Sequence, residues 1–234
     1  MLLQRLGYSH STLDAYVDEK TLAKHELKFQ LRQAVMLKRM DQAKPLLDQY
    51  KKILSNPTPI DRQFLILYQI LAEPETYPHP QRTAAFEEAL RLTCPRYRQN
   101  HFPMVLSYEE IILINNIAIC NFQSDKKEEA VELLYGLKRY YEDHVIDPEE
   151  ALRTQPMVLY NLSKYLGLLG RYEASMEVSG LGIRICTETG RCACLPGLMA
   201  NHAWYLVQRG RQEFREWLAQ REAEASEGEE RNKK

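Results

Sequence analysis

The chain has 234 residues, of which 44% are hydrophobic and 27% charged, and its formal net charge is −1. That is enough apolar side chain for a continuous core, and it excludes a dedicated nucleic-acid surface, which is clearly basic as a rule. No apolar run reaches the roughly 18 residues that span a bilayer. MLLQRLGYSH lacks the h-region of a secretory signal, so a soluble, cytoplasmic protein is expected.

Met1–Tyr8 forms a short amphipathic piece, and residues 1–19 read as a linker before the first long helix. A helical pattern runs from about Lys20 to Leu37, with Leu22, Leu27, Leu31, Ala34 and Val35 on one side. Asp41 reads as the cap of the next helix, with Pro45 in its first turn, where the missing N–H costs little. A second pair spans Phe64–Ala72, opened by Asp61, and Thr83–Leu92; Thr93–Pro103 is a proline-punctuated connection. Ser107 and Glu110 have capping-box spacing, so a helix starts near Tyr108 and its partner covers about Lys127–Tyr141. Asp147, Pro148, Glu149 and Glu150 make another strong helix start. Pro156 predicts a kink or restart before Tyr160, and the partner helix covers about Tyr172–Thr187. A last hairpin is expected from Pro196–Arg209 and Gln212–Glu222, ahead of a charged, flexible tail at 223–234. No stretch alternates as a strand. The expectation is an all-α chain of about ten helices in five antiparallel pairs.

Three segments repeat one plan: NNIAICNFQSDK (Asn115–Lys126), YNLSKYLGLLGRYE (Tyr160–Glu173) and ANHAWYLVQRGR (Ala200–Arg211). Aligned on Asn116, Asn161 and Asn201, each has a small residue two positions on (Ala118, Ser163, Ala203) and a turn residue nine positions on (Asp125, Gly170, Gly210). The spacings of 45 and 40 residues are those of a helical-hairpin solenoid. Two helical residues turn through about 200°. If the small residues admit the partner helix, the asparagines point almost the other way, onto the inner wall of a superhelix. Side-chain amides there either pair with the backbone of an extended peptide or brace neighbouring helices. Met157, Lys164 and Tyr165 lie within a turn of Asn161, and Tyr205 within a turn of Asn201. The candidate peptide-binding set is therefore Asn116, Met157, Asn161, Lys164, Tyr165, Asn201 and Tyr205.

These segments resemble tetratricopeptide repeats, with small residues also in the second helices at Ala130, Ser175 and Gly182. The resemblance implies a right-handed solenoid of about five hairpins over residues 20–222. A narrower resemblance rests on LLQRLGYS (Leu2–Ser9), HELKFQLRQA (His25–Ala34), DRQFLILYQ (Asp61–Gln69), INNIAIC (Ile114–Cys120) and LYNLSKYLGLLGRYE (Leu159–Glu173). Together they look like the sensor region of helix-turn-helix transcriptional regulators from Gram-positive bacteria, of the peptide-pheromone-responsive, quorum-sensing type. In that family a DNA-binding domain precedes a tetratricopeptide domain that often binds short signalling peptides and dimerises. The resemblance implies a peptide-sensing module, a homodimer, and no direct nucleic-acid binding by this stretch alone. The alternative is a tetratricopeptide adaptor that holds another protein.

No catalytic constellation is expected, and the chain reads as a non-enzyme. Glu128–Glu129 and Glu149–Glu150 are solvated helix starts. His25 lacks a second histidine at metal-ligand spacing, and no glycine-rich phosphate loop occurs. The five cysteines (Cys94, Cys120, Cys186, Cys192, Cys194) suit free thiols in a reducing compartment. Cys186, Cys192 and Cys194 have only His202 as a plausible further ligand, so neither a metal nor a cofactor is expected.

Overall fold

The computed structural model describes residues 19–95, 102, 105–190 and 193–232. Met1–Tyr8 and Cys192 lie outside the described residues, as does most of the connection expected at Thr93–Pro103. Among the described residues the regular elements are nine α-helices and one short 3-10 turn, Pro74–Thr76. In chain order they are α1 (Glu19–Met36), α2 (Met40–Ile53), α3 (Pro59–Ala72), α4 (His79–Arg91), α5 (Tyr108–Gln123), α6 (Lys127–Asp143), α7 (Pro148–Leu168), α8 (Tyr172–Thr189) and α9 (Leu195–Asn232). None of them is long and apolar enough to cross a membrane. The chain is all-α, built as tetratricopeptide-like hairpins α1–α2, α3–α4, α5–α6 and α7–α8, followed by one long helix.

Local chemistry sets most boundaries. Ser107 and Glu110 form the expected capping box on α5. The Asp147 carboxylate accepts from the backbone N–H of Glu149 and of Glu150 at the start of α7. Asp125 and Gly170 turn the chain with φ of 64° and 75°, in the left-handed region. Two starts differ from the sequence reading. Thr58 is the N-cap of α3, and Asp61 closes its capping box from the third position. α2 starts at Met40 behind Arg39, which makes no side-chain cap, because Lys38 takes the turn at φ 56°. Asp41 therefore sits in the first turn, and Pro45 falls deeper inside the helix than expected.

Two larger corrections concern α7 and α9. α7 does not restart at Pro156, which is buried inside one continuous helix. A proline there costs about 3 kcal/mol, and the buried Thr154, Val158 and Leu159 on either side hold the helix through it. The last expected hairpin is a single helix of 38 residues. Gly210 has no positive φ and no atom within 4 Å of the place a Cβ would take, so nothing there imposes a turn. The sequence across it is rich in helix formers, with i,i+4 pairs from Arg209 to Glu213 and Gln212 to Glu216.

By internal contacts the chain divides into two units, Met1–Val158 and Leu159–Lys234, with the boundary inside α7. The first unit packs α1 to α6 in sequential neighbours, and α1 and α5 each also touch α3. Its core includes Leu31, Tyr50, Phe64, Leu113, Ile117 and Leu133, each at most 0% exposed. Helix crossings are closed by small residues: Ala118 on α5 and Ala130 on α6 are both fully buried. The second unit buries Leu162, Leu166, Cys186 and Leu198. Ser175 of α8 donates to the Ser163 carbonyl of α7 at 2.7 Å. A Cβ on Gly182 would lie 2.8 Å from a Leu198 methyl, so a larger residue there would have to push the Leu198 side chain aside.

Candidate functional site

The three asparagines that align in sequence take different places. In the first unit, Asn116 is half-buried and its Nδ2 donates to the Ile112 carbonyl of its own helix at 2.8 Å. Its neighbour Asn115 is buried, with Nδ2 3.9 Å from the sulfur of Met157. In the second unit, Asn161 is 8% exposed and partnered within the chain. Tyr165 is also buried, while Lys164 and, one turn on, Leu168 are exposed. Asn201 donates to the Tyr160 carbonyl at 3.3 Å and to Ser163 Oγ at 3.1 Å.

That last arrangement departs from the rotational argument. Ala203 is exposed, and α9 meets α7 through Asn201 and Tyr205, one turn apart. The Tyr205 hydroxyl donates to the Lys164 carbonyl at 2.8 Å, and burial pushes that phenol up to about 12. Its ring lies on Gly167, where a Cβ would stand 1.7 Å from ring carbon. Asn201 and Tyr205 thus brace α9 against α7 within the second unit.

A second cluster, in the first unit, was not singled out from sequence. α1 carries Lys24, Lys28 and Arg32 one turn apart on one side. Arg32 Nε donates to Glu109 Oε1 of α5 at 2.9 Å, and Nη2 reaches the same oxygen. Burial works against both charges, but each outweighs it for the other, holding Glu109 below and Arg32 above its usual range. Asp61 of α3 accepts from Lys24 Nζ at 2.7 Å, Tyr50 hydroxyl at 2.9 Å, and the Thr58 hydroxyl and N–H at 2.8 and 3.1 Å. Burial alone would raise the Asp61 carboxyl; these donors, Lys24 first, hold it well below the usual carboxylate range. Lys28 stands among them, its Nζ 4.8 Å from the Phe64 ring centre and 5.7 Å from that of Tyr50. Its three-cation spacing on α1 was a usable signal; its partners, on two other helices, were not visible.

Among the described residues no group of three or more His, Cys, Asp or Glu side chains is placed to hold a metal ion. Cys94, Cys120, Cys186 and Cys194 are free thiols, and burial pushes those of Cys120 and Cys194 up, away from the reactive thiolate. His202 pairs with Ser179 Oγ at 2.9 Å, not with Cys194.

Two solved structures of PlcR from Bacillus thuringiensis share this fold. PlcR in complex with the peptide PapR7 and DNA overlays with a TM-score of 0.66 at 18% identity, covering 83% of this chain and 65% of that one. The apo form of PlcR gives a TM-score of 0.65 at 18% identity, covering 82% of this chain and 69% of that one. The chain thus spans about 65% of the length of PlcR as bound to peptide and DNA. No protein-family model and no curated protein sequence matches it.

Proposed function

We propose that this chain is the ligand-sensing and dimerising portion of a transcriptional regulator, and that its ligand is a short peptide. The observation that carries this reading is the fold shared over 83% of the chain with PlcR, a protein solved with a bound peptide and DNA. Two local features support it. The first helices of two successive hairpins carry polar and apolar candidates: half-buried Asn116 and Met157 in the first unit, and exposed Lys164 next to buried Asn161 and Tyr165 in the second. The free thiols fit work in a reducing cytoplasm. Asn201 and Tyr205 support the ligand face indirectly, by fixing α7.

A protein-adaptor role is the second reading, and one observation favours it. α9 leaves Phe214, Trp217 and Leu218 exposed at 59, 51 and 39%, which suits a larger partner, whether a second copy or another protein. Thermal-shift measurements with pools of short synthetic peptides separate the two. A sensor is stabilised by at least one pool, and Asn161→Ala then weakens that peptide about 5- to 150-fold, the equivalent of roughly 1–3 kcal/mol. Stabilisation by no pool refutes the sensor reading. A variant that melts lower yet binds the peptide normally makes Asn161 structural.

A further inference from the structure

We propose that Lys28, with Lys24 beside it, is a docking point for a carboxylate of the ligand, on the first unit and away from the asparagine positions. The inference rests on the peptide reading above and specifies one chemical group that the peptide presents.

The argument is about which charges in the cluster are already used. Arg32 is spent on Glu109, with two donors on one oxygen. Lys24 is spent on Asp61 at 2.7 Å. Lys28 is different. Its side chain is only 12% exposed, and its closest carboxylate oxygen, Asp61 Oδ1, stands 3.7 Å away, beyond hydrogen-bond reach. Asp61 has no need of it, since Lys24, Tyr50 and two groups of Thr58 already donate to that carboxylate. Glu109 and Arg32 also act on it by charge, Glu109 beyond ion-pair distance, and the faces of Phe64 and Tyr50 beside it attract a cation but accept no conventional hydrogen bond. An ammonium has three N–H donors, and among the described residues none of the three has an acceptor at hydrogen-bond distance. Burial of an ammonium held this loosely by the chain is unfavourable, and it lowers the lysine's pKa.

Charge selects the ligand class. The cluster holds three cations, Lys24, Lys28 and Arg32, against two carboxylates, Asp61 and Glu109. One monoanion neutralises the excess; a phosphate dianion would leave net negative charge beside two buried carboxylates. A carboxylate has two oxygens, one for Lys28 and one for Lys24, whose side chain is 29% exposed and marks the open side. The carboxylate is either the peptide's C-terminus or an acidic side chain.

Lysine side-chain NMR on the full chain tests this with three probes: acetyl-leucyl-phenylalanine with a free C-terminal carboxylate, the same dipeptide amidated, and acetyl-aspartate N-methylamide. The Lys28 ammonium signal is expected to shift saturably with a free acid and not with the amide. The stronger of the two acids identifies the source of the carboxylate. In Lys28→Met, which keeps the stem and leaves Asp61 its four donors, binding of that acid falls about tenfold or more. The parent titration stands even if the variant fails to fold. A Lys28 signal that ignores both acids, or answers the amide equally, overturns the proposal and leaves solvent to meet those donors. If amidated peptide pools stabilise the protein while Lys28 stays silent, the peptide reading stands and only the carboxylate site falls. If Lys28 answers the acids but no peptide pool binds, the site stands and the peptide reading falls.

Discussion

Separating Arg32 from Glu109 should damage the first unit more than any other single polar change there. The two side chains are 10 and 7% exposed, so neither charge has bulk water to fall back on. Removing one partner of such a pair costs about 3–5 kcal/mol, because the other charge stays buried without it. The neighbours set an order between the two single variants. Arg32→Met leaves Glu109 with Lys28 still close enough to favour its charge. Glu109→Leu leaves three cations with Asp61 as their one ion-pair partner and only the more distant charge of Glu150 acting on Arg32, so it should cost more. Replacing both at once removes both charges together, and such swaps are often neutral or stabilising by about 1–4 kcal/mol. At roughly 2–4 °C per kcal/mol for a chain of this size, each single variant should melt about 6–20 °C lower, and the double variant near the parent. Calorimetry on the four proteins of the cycle measures this, with the coupling energy as its result. Single variants that each lose less than about 1 kcal/mol would behave as exposed pairs do, and the buried network described above would be refuted.

Three further outcomes are expected. Gly167→Ala places a methyl 1.7 Å from the Tyr205 ring, which its bond to the Lys164 carbonyl keeps from swinging aside, so a loss of about 1–3 kcal/mol should appear on melting and a second change, Tyr205→Leu, should restore it; an unchanged melt would mean α7 and α9 cross less closely. Asp61 has its folded-state pKa held below the ordinary 3.8, so it stabilises the fold fully above about pH 4 and loses that contribution as pH falls through the depressed folded value; Asp61→Asn should flatten this acid limb of a stability–pH curve, and an identical limb in the variant would refute the assignment. Light scattering should return twice the 27.4 kDa chain mass, reverting to one chain in Phe214→Ser/Trp217→Ser; a single-chain mass for the parent throughout the micromolar range would refute dimerisation.

What could be read in the sequence was what local chemistry decides. Ser107 with Glu110, Asp147 with its following acids, and the left-handed turns at Asp125 and Gly170 each depend on residues within one or two turns of themselves. The small residues Ala118, Ala130, Ser163 and Ser175 were legible for a related reason: a close crossing tolerates few side chains, and all four are fully buried. Gly210 had the same local signature as Gly170 and a different outcome. Gly170 precedes a helix with Ser175 and Gly182 to pack on α7 and α9, whereas Arg211–Glu222, after Gly210, are exposed throughout. Glycine permits a turn, and packing on the far side is what makes the chain take it. Pro156 shows the converse, a helix breaker overruled by buried neighbours.

The misplacement of Asn201 and the silence about Lys28 share one cause. A sequence shows each of them on its own helix only, and their environment is set by others. The alignment put Ala203 against the partner helix because Ala118 and Ser163 are there, but Tyr205 is large enough to claim the contact with α7 and turn Asn201 in with it. On α1, Lys24, Lys28 and Arg32 stand at one-turn spacing, and such a row is ordinarily a solvated face. The acids that meet them lie on α3 and α5, with 77 residues between Arg32 and Glu109. In a hairpin array the first helix of one repeat packs beside the first helix of the next, as α1 does with α3 and α3 with α5. Charges on those helices are therefore drawn together across repeats and must pair or reach water. Arg32 and Lys24 pair. Lys28 is nearly as deep, 3.7 Å from Asp61 and with 12% of its side chain exposed, so of the three it is the cation least taken up by a partner within the described residues.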